Sequence, residues 1–268
     1  MSAECRSPGL ADLHFHLLPG LDDGPACMEE SVALARAAAE EGTTTIVATP
    51  HVRGDFVTDI DAVVHGTREL EVTLRALGLD IAVLRGAELG HDMVGCLGQH
   101  ELDLIAQGPP EARWLLVETP FEGIHEAFHA ATAELRERGF GVVVAHPERS
   151  ADAESGSEGL RRELARGAAA QVNAMSLAGG HGPEACAAGL ALVREGLVEI
   201  VGSDAHGPTR PPALRRAFTC MLGGGVPVSV ARDLVNGAPR RLLARGVPSA
   251  PATALGGENE GRRLALVA

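Results

Sequence analysis

Residues 11–25 read ADLHFHLLPGLDDGP. A short apolar run carries histidines at 14 and 16, and alternate residues of a strand point to one face. His14 and His16 can therefore reach one ion. The run ends at a Pro-Gly pair, and Asp23 follows in the same loop. The figure then recurs along the chain. His51 follows TTIVATP, Glu88 closes IAVLRGAE, Glu118 closes WLLVE, His146 follows GVVVA, and Asp204 and His206 follow EIVGS. Each ligand type stands just past a short apolar run, which is where a parallel α/β sheet presents its chemistry.

Working outward from these runs, strands are expected at 11–16, 44–49, 81–87, 114–118, 140–145, 169–173 and 198–203. Helical patterns fall between them, near 29–41, 58–77, 92–106, 124–138, 157–167 and 183–196. The stretch 211–245 reads as two or three short helices. Strands alternating with helices predict an α/β fold, and seven such units predict a closed or nearly closed parallel barrel. Six of the seven strands end in a candidate ligand. The seventh, within AAAQVNAMS, ends in Asn173, which is read as lining the pocket. Residues 1–246 are expected to form a single domain. The Pro-, Gly- and Ala-rich stretch 247–268 reads as a flexible tail, and ADAESGSEG at 151–159 as a surface loop.

The bulk numbers narrow the function classes. A formal charge of −13 argues against a broad nucleic-acid surface, which needs a basic face. Bound cations can still draw anionic small substrates, because they reverse the local field. The chain has no Lys and no Tyr; its 23 basic residues are all Arg. Five scattered cysteines with no CxxC pair suit reduced thiols and a cytoplasmic setting. The sequence gives no sign of a signal peptide or of an apolar run long enough to span a membrane.

Imidazole and carboxylate ligands without thiolate suit manganese, iron, zinc, cobalt or magnesium rather than a soft copper site. Five histidines with four carboxylates exceed the needs of one ion, so two or three divalent ions are expected. Glu88 and Asp204 are the candidates for holding more than one.

DLHFHLLPGLDDGP, ATPH, GAELG, LLVETPF, VVAHPER and SDAHGPTRPP, in this order, resemble the polymerase-and-histidinol-phosphatase (PHP) superfamily. The likeness is nearest to its bacterial capsule and exopolysaccharide tyrosine-protein phosphatase branch, and it covers about residues 11–245. It implies a distorted (β/α)7 TIM-like barrel with a trinuclear site, manganese being the first choice of metal. Its ligands would be His14, His16, Asp23, His51, Glu88, Glu118, His146, Asp204 and His206. Arg149 and Arg210 would hold the phosphoryl group. The implied reaction is hydrolysis of phosphotyrosine by a metal-bridged hydroxide. The implied partner is a bacterial tyrosine kinase of polysaccharide synthesis or export. Two departures from the family pattern stand out: the segment from His206 to Arg210 is one residue shorter, and Ser150 replaces an aromatic residue.

The same sequence admits other readings. His125-Glu126-Ala127-Phe128-His129 matches the HExxH signature of zinc proteases; as a surface helix after the fourth strand it needs no metal. An amidohydrolase barrel also opens with HxH, but its common binuclear form bridges the ions with a carboxylated Lys, which this chain lacks. Some PHP modules are non-catalytic, a reading the full ligand set disfavours. Within phosphatases, the alternative is a small-molecule phosphomonoesterase of the histidinol-phosphatase kind. Asp12 is read as structural, and His91, His100, Glu122 and His181 as loop or solvated residues.

Overall fold

The computed structural model describes residues 9–57, 59–153 and 157–249. In chain order its elements are β1 (Leu10–Phe15), α1 (Met28–Glu40), β2 (Thr43–Ala48), β3 (His51–Val52), α2 (Ile60–Ala76), β4 (Ala82–Arg85), β5 (Glu88–Leu89), α3 (Gln99–Ile105), β6 (Trp114–Glu118), α4 (Glu126–Glu137), β7 (Gly141–Ala145), α5 (Glu158–Ala165), β8 (Ala169–Asn173), α6 (Ala174–Leu177), α7 (Pro183–Arg194), β9 (Ile200–Gly202), α8 (Leu214–Gly223), α9 (Val228–Arg232) and α10 (Ala238–Arg245).

Among the described residues the pairings between these strands are parallel. One sheet has the order β1-β2-β4 and the other β3-β5-β6-β7-β8-β9. Two of the expected strands are each split in two. The run 44–49 becomes β2 and then, past Thr49 and Pro50, β3. The run 81–87 becomes β4 and then, past Gly86 and Ala87, β5. Pro50 has no N–H to give a ladder, yet its carbonyl accepts from the Glu88 amide at 3.1 Å, and Gly86 N–H reaches the Ala48 carbonyl at 2.9 Å. The split runs therefore stay side by side as the chain passes from one sheet to the other. At the other junction Asp204 N–H donates to the His14 carbonyl and His16 N–H to the Ala205 carbonyl, both at 2.9 Å.

Strands β6 to β9 are buried on both faces, as helices on a parallel sheet require, whereas β4 exposes alternate residues. Residues on one face of β6 and β7, including Leu115, Val117, Val142 and Val144, pack into the larger core with the helices. The alternate residues Leu116, Val143 and Ala145 join Ala11, Leu13, Val47, Ala169 and Ile200 in a second cluster, to which α10 adds Ala238 and Leu242. Trp114 lies in this cluster, its indole N–H donating to the Leu242 carbonyl at 3.3 Å. Val247 is buried there too; residues 250–268, most of the expected tail, lie outside the described residues, as do 154–156 of the expected loop.

Helices fall close to the expected places, with two differences. The pattern at 92–106 yields a 3-10 turn at His91–Met93 and only then α3, because Gly95 and Gly98 interrupt it. The short α6 directly after β8 was not expected. Among the described residues no helix is long and apolar enough to cross a membrane.

Candidate metal centre

All nine candidate ligands come together at the C-terminal ends of the strands. Three overlapping groups place ligand atoms within 4.8 Å of one another: His16, Asp23, His51 and His206; His14, His16, Glu88 and Asp204; and His51, Glu88 and Glu118. His146 joins through Glu88, its Nε2 lying 2.6 Å from Glu88 Oε1. His16, His51 and Glu88 each belong to two of these groups, and Asp204 to one. Glu88 Oε2 is 3.2 Å from Nε2 of both His14 and His16, and Asp204 Oδ1 is 3.4 and 3.3 Å from the same atoms.

The backbone bends to deliver these groups. His146 and Asp204 both adopt left-handed conformations, with φ of 35° and 52°. Such values are uncommon for residues other than Gly and cluster at functional sites. At Gly202 an added Cβ would lie 2.8 Å from the His14 Cβ. Only a bare backbone lets β9 approach β1 so closely beside the site.

Three of the five imidazoles have their tautomer fixed by what they touch. His14 Nδ1 lies 2.9 Å from Gln171 Oε1, an oxygen that also accepts the His146 amide at 3.2 Å. An acceptor there demands a proton on His14 Nδ1. His16 Nδ1 lies 2.6 Å from Asp22 Oδ2, which also takes the His51 amide. His206 Nδ1 donates to the Asp204 carbonyl at 2.9 Å. In each neutral ring the remaining lone pair is on Nε2 and faces the cluster.

Burial opposes charge on His14 and His16, yet the neighbouring Glu88 and Asp204 raise both, so the acids that would hold a cation also draw protons onto these rings. Burial would lift Glu88, but His14, His146 and His51 hold it well below the usual carboxylate range. Burial also opposes ionisation of Asp204, and His14 and His16 hold it low in the same way. His206, whose Nε2 lies 3.1 Å from Asp23 Oδ1, lowers Asp23. Burial and the neighbouring Glu88 raise Glu118. Burial pushes His51 down to about 4 and lowers His206. Buried ligand atoms are left without hydrogen-bond partners on His51 Nδ1, Glu88 Oε2, His146 Nδ1, Asp204 Oδ1 and His206 Nε2. Buried polar atoms without partners are costly. Divalent cations between these oxygens and nitrogens would satisfy them, so the mixed imidazole and carboxylate donor set fits such ions.

Two guanidiniums stand at the rim. Arg149 Nη1 is 3.1 Å and Arg210 Nη2 2.8 Å from the same atom, Asp204 Oδ2, and Arg210 Nη1 is 3.5 Å from Asp23 Oδ2. Arg210 reaches the cluster across the short segment after His206. Sequence reading missed a third guanidinium. Arg53 Nη1 lies 2.9 Å from both Glu118 oxygens, while Asp55 holds its Nε and Nη2. Asp22 and Gln171 were missed as well. Asn173, read as lining the pocket, donates from Nδ2 to Asp204 Oδ2 at 2.6 Å. Asp12 accepts the Ser203 and His14 amides and so braces β1 against β9. His181, read as a loop residue, lines a cavity of about 540 Å³ next to Arg149.

The HExxH residues lie elsewhere. Among the described residues, none of them belongs to a group able to hold a metal. His125 caps α4, and Glu126 is exposed and paired with Arg162. His129 is buried with its Nδ1 2.5 Å from Glu163 Oε1, and Glu163 also binds Arg136 at 2.6 Å. The motif is a surface helix with a buried ion-pair network.

A parallel α/β chain with clustered imidazoles and carboxylates at its strand ends is of the metal-dependent hydrolase class. The chain belongs to the capsular polysaccharide synthesis CpsB/CapC family, whose model matches residues 10–243. It is 32% identical over 201 residues to the tyrosine-protein phosphatase YwqE of Bacillus subtilis, covering 74% of this chain and 77% of that protein. It is 24% identical to the tyrosine-protein phosphatase CpsB of Streptococcus pneumoniae, over 87% of this chain and 98% of the relative. A solved structure from work on YwqE and CpsB, described as unique metal-dependent tyrosine phosphatases, matches with a TM-score of 0.75 and 28% identity, covering 90% of this chain and 98% of that one. An amidohydrolase from Mycoplasma synoviae matches in fold alone, with a TM-score of 0.54 and 14% identity over 92% of each chain.

Proposed function

We propose that this chain is a metal-dependent phosphatase that hydrolyses phosphotyrosine in proteins. The observation that carries the reading is the contact of Arg149 and Arg210 with one oxygen of Asp204, itself a member of the buried ligand cluster. Two guanidiniums beside a cation-binding cluster form a site for a phosphoryl dianion. The names of the relatives favour a phosphotyrosyl substrate.

The site residues in this reading are His14, His16, Asp23, His51, Glu88, Glu118, His146, Asp204 and His206 as ligands, with Arg149 and Arg210 on the phosphoryl group. The donor set suits two to three divalent ions, manganese being the first choice. Such ions, when bound, lower the pKa of water and neutralise phosphoryl oxygens. The protein's own part is to hold the geometry. Gln171, Asp22 and the Asp204 carbonyl keep the Nε2 lone pairs of His14, His16 and His206 turned inward. Arg149 and Arg210 present planar forks that pair with phosphate oxygens. A tyrosine leaving group has a pKa of about 10, so it departs without a strong acid beside it.

The fold in this reading is a distorted (β/α)7 barrel. The Phe15–Ala205 bridge and its flanking hydrogen bonds support closure between β1 and the end of β9. The partner is a bacterial tyrosine kinase of polysaccharide synthesis or export, met in the cytoplasm, where the four described cysteines stay free thiols.

The test is a substrate panel at fixed metal loading. kcat/KM for phosphotyrosyl peptides should exceed that for matched phosphoseryl peptides at least about tenfold, or ~1.4 kcal/mol in the transition state. Histidinol phosphate should be poorer still. A clear preference for histidinol phosphate would replace this reading with that of a small-molecule phosphomonoesterase.

A further inference from the structure

The cavity beside Arg149 has no part in holding ions, yet it shares a wall with the site. Phe121, Arg149 and the alanines 151, 153 and 185 line one part of it, Ser150, Glu148, His181 and Glu184 the polar remainder, and its volume is about 540 Å³. Phe121 is 52% exposed, behind only Val72 and Leu77 and level with Val228 among the exposed large hydrophobic residues on the described surface. It lies three residues past Glu118, on the loop that leaves β6. The Arg149 guanidinium sits over its ring, with Cζ 5.2 Å from the centroid. On its other side Arg149 reaches Asp204. One side chain thus joins the ion cluster to an aromatic wall.

The walls are held in place. The Ala151 amide donates to the Phe121 carbonyl at 2.8 Å, tying the loop after β6 to the loop after β7. Ser150 Oγ bonds the Pro147 carbonyl at 2.8 Å and Asp152 Oδ1 at 2.5 Å. Small side chains at 151, 153 and 185 leave room that a larger residue would fill. The part of the pocket with the Phe121 wall, the alanines and the Arg149 guanidinium suits a flat apolar ring that carries an anion at its edge, while Glu148, His181 and Glu184 make its other side polar.

We propose that this cavity is the subsite for the aromatic ring of the substrate, and that Phe121 makes the site prefer aryl over alkyl phosphates. The inference rests on the phosphatase reading. In a phosphotyrosine a single ester oxygen separates phosphorus from the ring, so the ring must lie next to whatever holds the phosphoryl group. The cavity adjoining Arg149 meets that condition. Phe121 also packs on Arg149, so its loss is expected to disturb phosphate binding in general. The discriminating quantity is therefore a ratio between ligands with and without a ring.

The test is calorimetric titration of the metal-loaded protein with phenylphosphonate and with methylphosphonate, neither of which is hydrolysed. Wild type should bind phenylphosphonate at least about tenfold tighter, which is ~1.4 kcal/mol. Phe121→Ala and Ala151→Trp, the first removing the wall and the second filling the cavity, should each reduce that ratio to about threefold or less. Equal binding of the two phosphonates by wild type would overturn the proposal. So would an unchanged ratio in the variants, or a loss in Phe121→Ala that is equal for both ligands. Turnover of a phosphotyrosyl peptide is measured in parallel. A ring preference that follows Phe121 in a protein that does not hydrolyse that peptide would keep the subsite and remove the phosphatase reading.

Discussion

The Nε2 atoms of His14 and His16 lie 3.3 Å apart. Gln171 and Asp22 take the Nδ1 protons of the two rings, so both Nε2 atoms present lone pairs toward each other. Two lone pairs at that distance repel unless a metal ion, or a proton drawn there by Glu88 and Asp204, lies between them. Glu88 Oε2 and Asp204 Oδ1 approach the same point from other sides. This meeting of four ligands is the structural basis for expecting a divalent ion here. It also makes the supporting residues as important as the ligands.

Gln171→Leu should keep the fold and weaken metal binding. Leu fills the space but offers no acceptor to His14, so the ring can rotate or change tautomer. Loss of a partner behind a ligand lowers metal affinity by roughly 10- to 100-fold. Competition with a chromophoric chelator measures it; unchanged affinity would show that Gln171 does not orient His14.

Arg53→Met should act on part of the cluster. Arg53 neutralises Glu118 and fixes both its oxygens, so its loss should loosen the ion held by His51, Glu88 and Glu118. Stepwise metal titration should show one affinity falling by about tenfold or more, with the others little changed. A uniform fall across all sites would contradict the local role.

Arg149→Lys and Arg210→Lys should lower kcat/KM by at least about tenfold while metal content stays constant. Lys keeps the charge but loses the paired donors that match two phosphate oxygens. Steady-state kinetics with elemental analysis of the same samples checks this. Full activity in Arg149→Lys would mean that the fork is not used.

The HExxH helix gives the opposite expectation. Glu126→Ala removes only an exposed ion pair with Arg162, so phosphatase activity and metal content should remain within a few-fold of wild type. His129→Ala strips a partner from buried Glu163 and should cost roughly 1–3 kcal/mol in denaturant unfolding. Loss of metal in either variant would show that the helix belongs to the site.

The nine candidate ligands were legible as a set because each occupies the same place in a repeating unit, just past an apolar run. Arg149 and Arg210 came only from the resemblance of their flanking motifs. Asp22 was passed over for its neighbour Asp23; nothing in LDDGP says which acid meets the ion and which backs His16. Gln171 left a trace, a lone amide inside the apolar strand AAAQVN, but its target is 157 positions away at His14. Arg53 stands two residues beyond His51, and its contact with Glu118 depends on how β3, β5 and β6 sit side by side. The splitting of the second and third strands was hidden because hydrophobic runs do not record where a chain leaves one sheet for another.

The number of ions per chain tests the central claim most directly. Protein purified anaerobically in active form, analysed by elemental mass spectrometry against a quantitative protein concentration, should hold two to three divalent ions per chain. It should lose activity on chelation and regain it when the metal is restored. One ion or none in fully active protein would contradict the account.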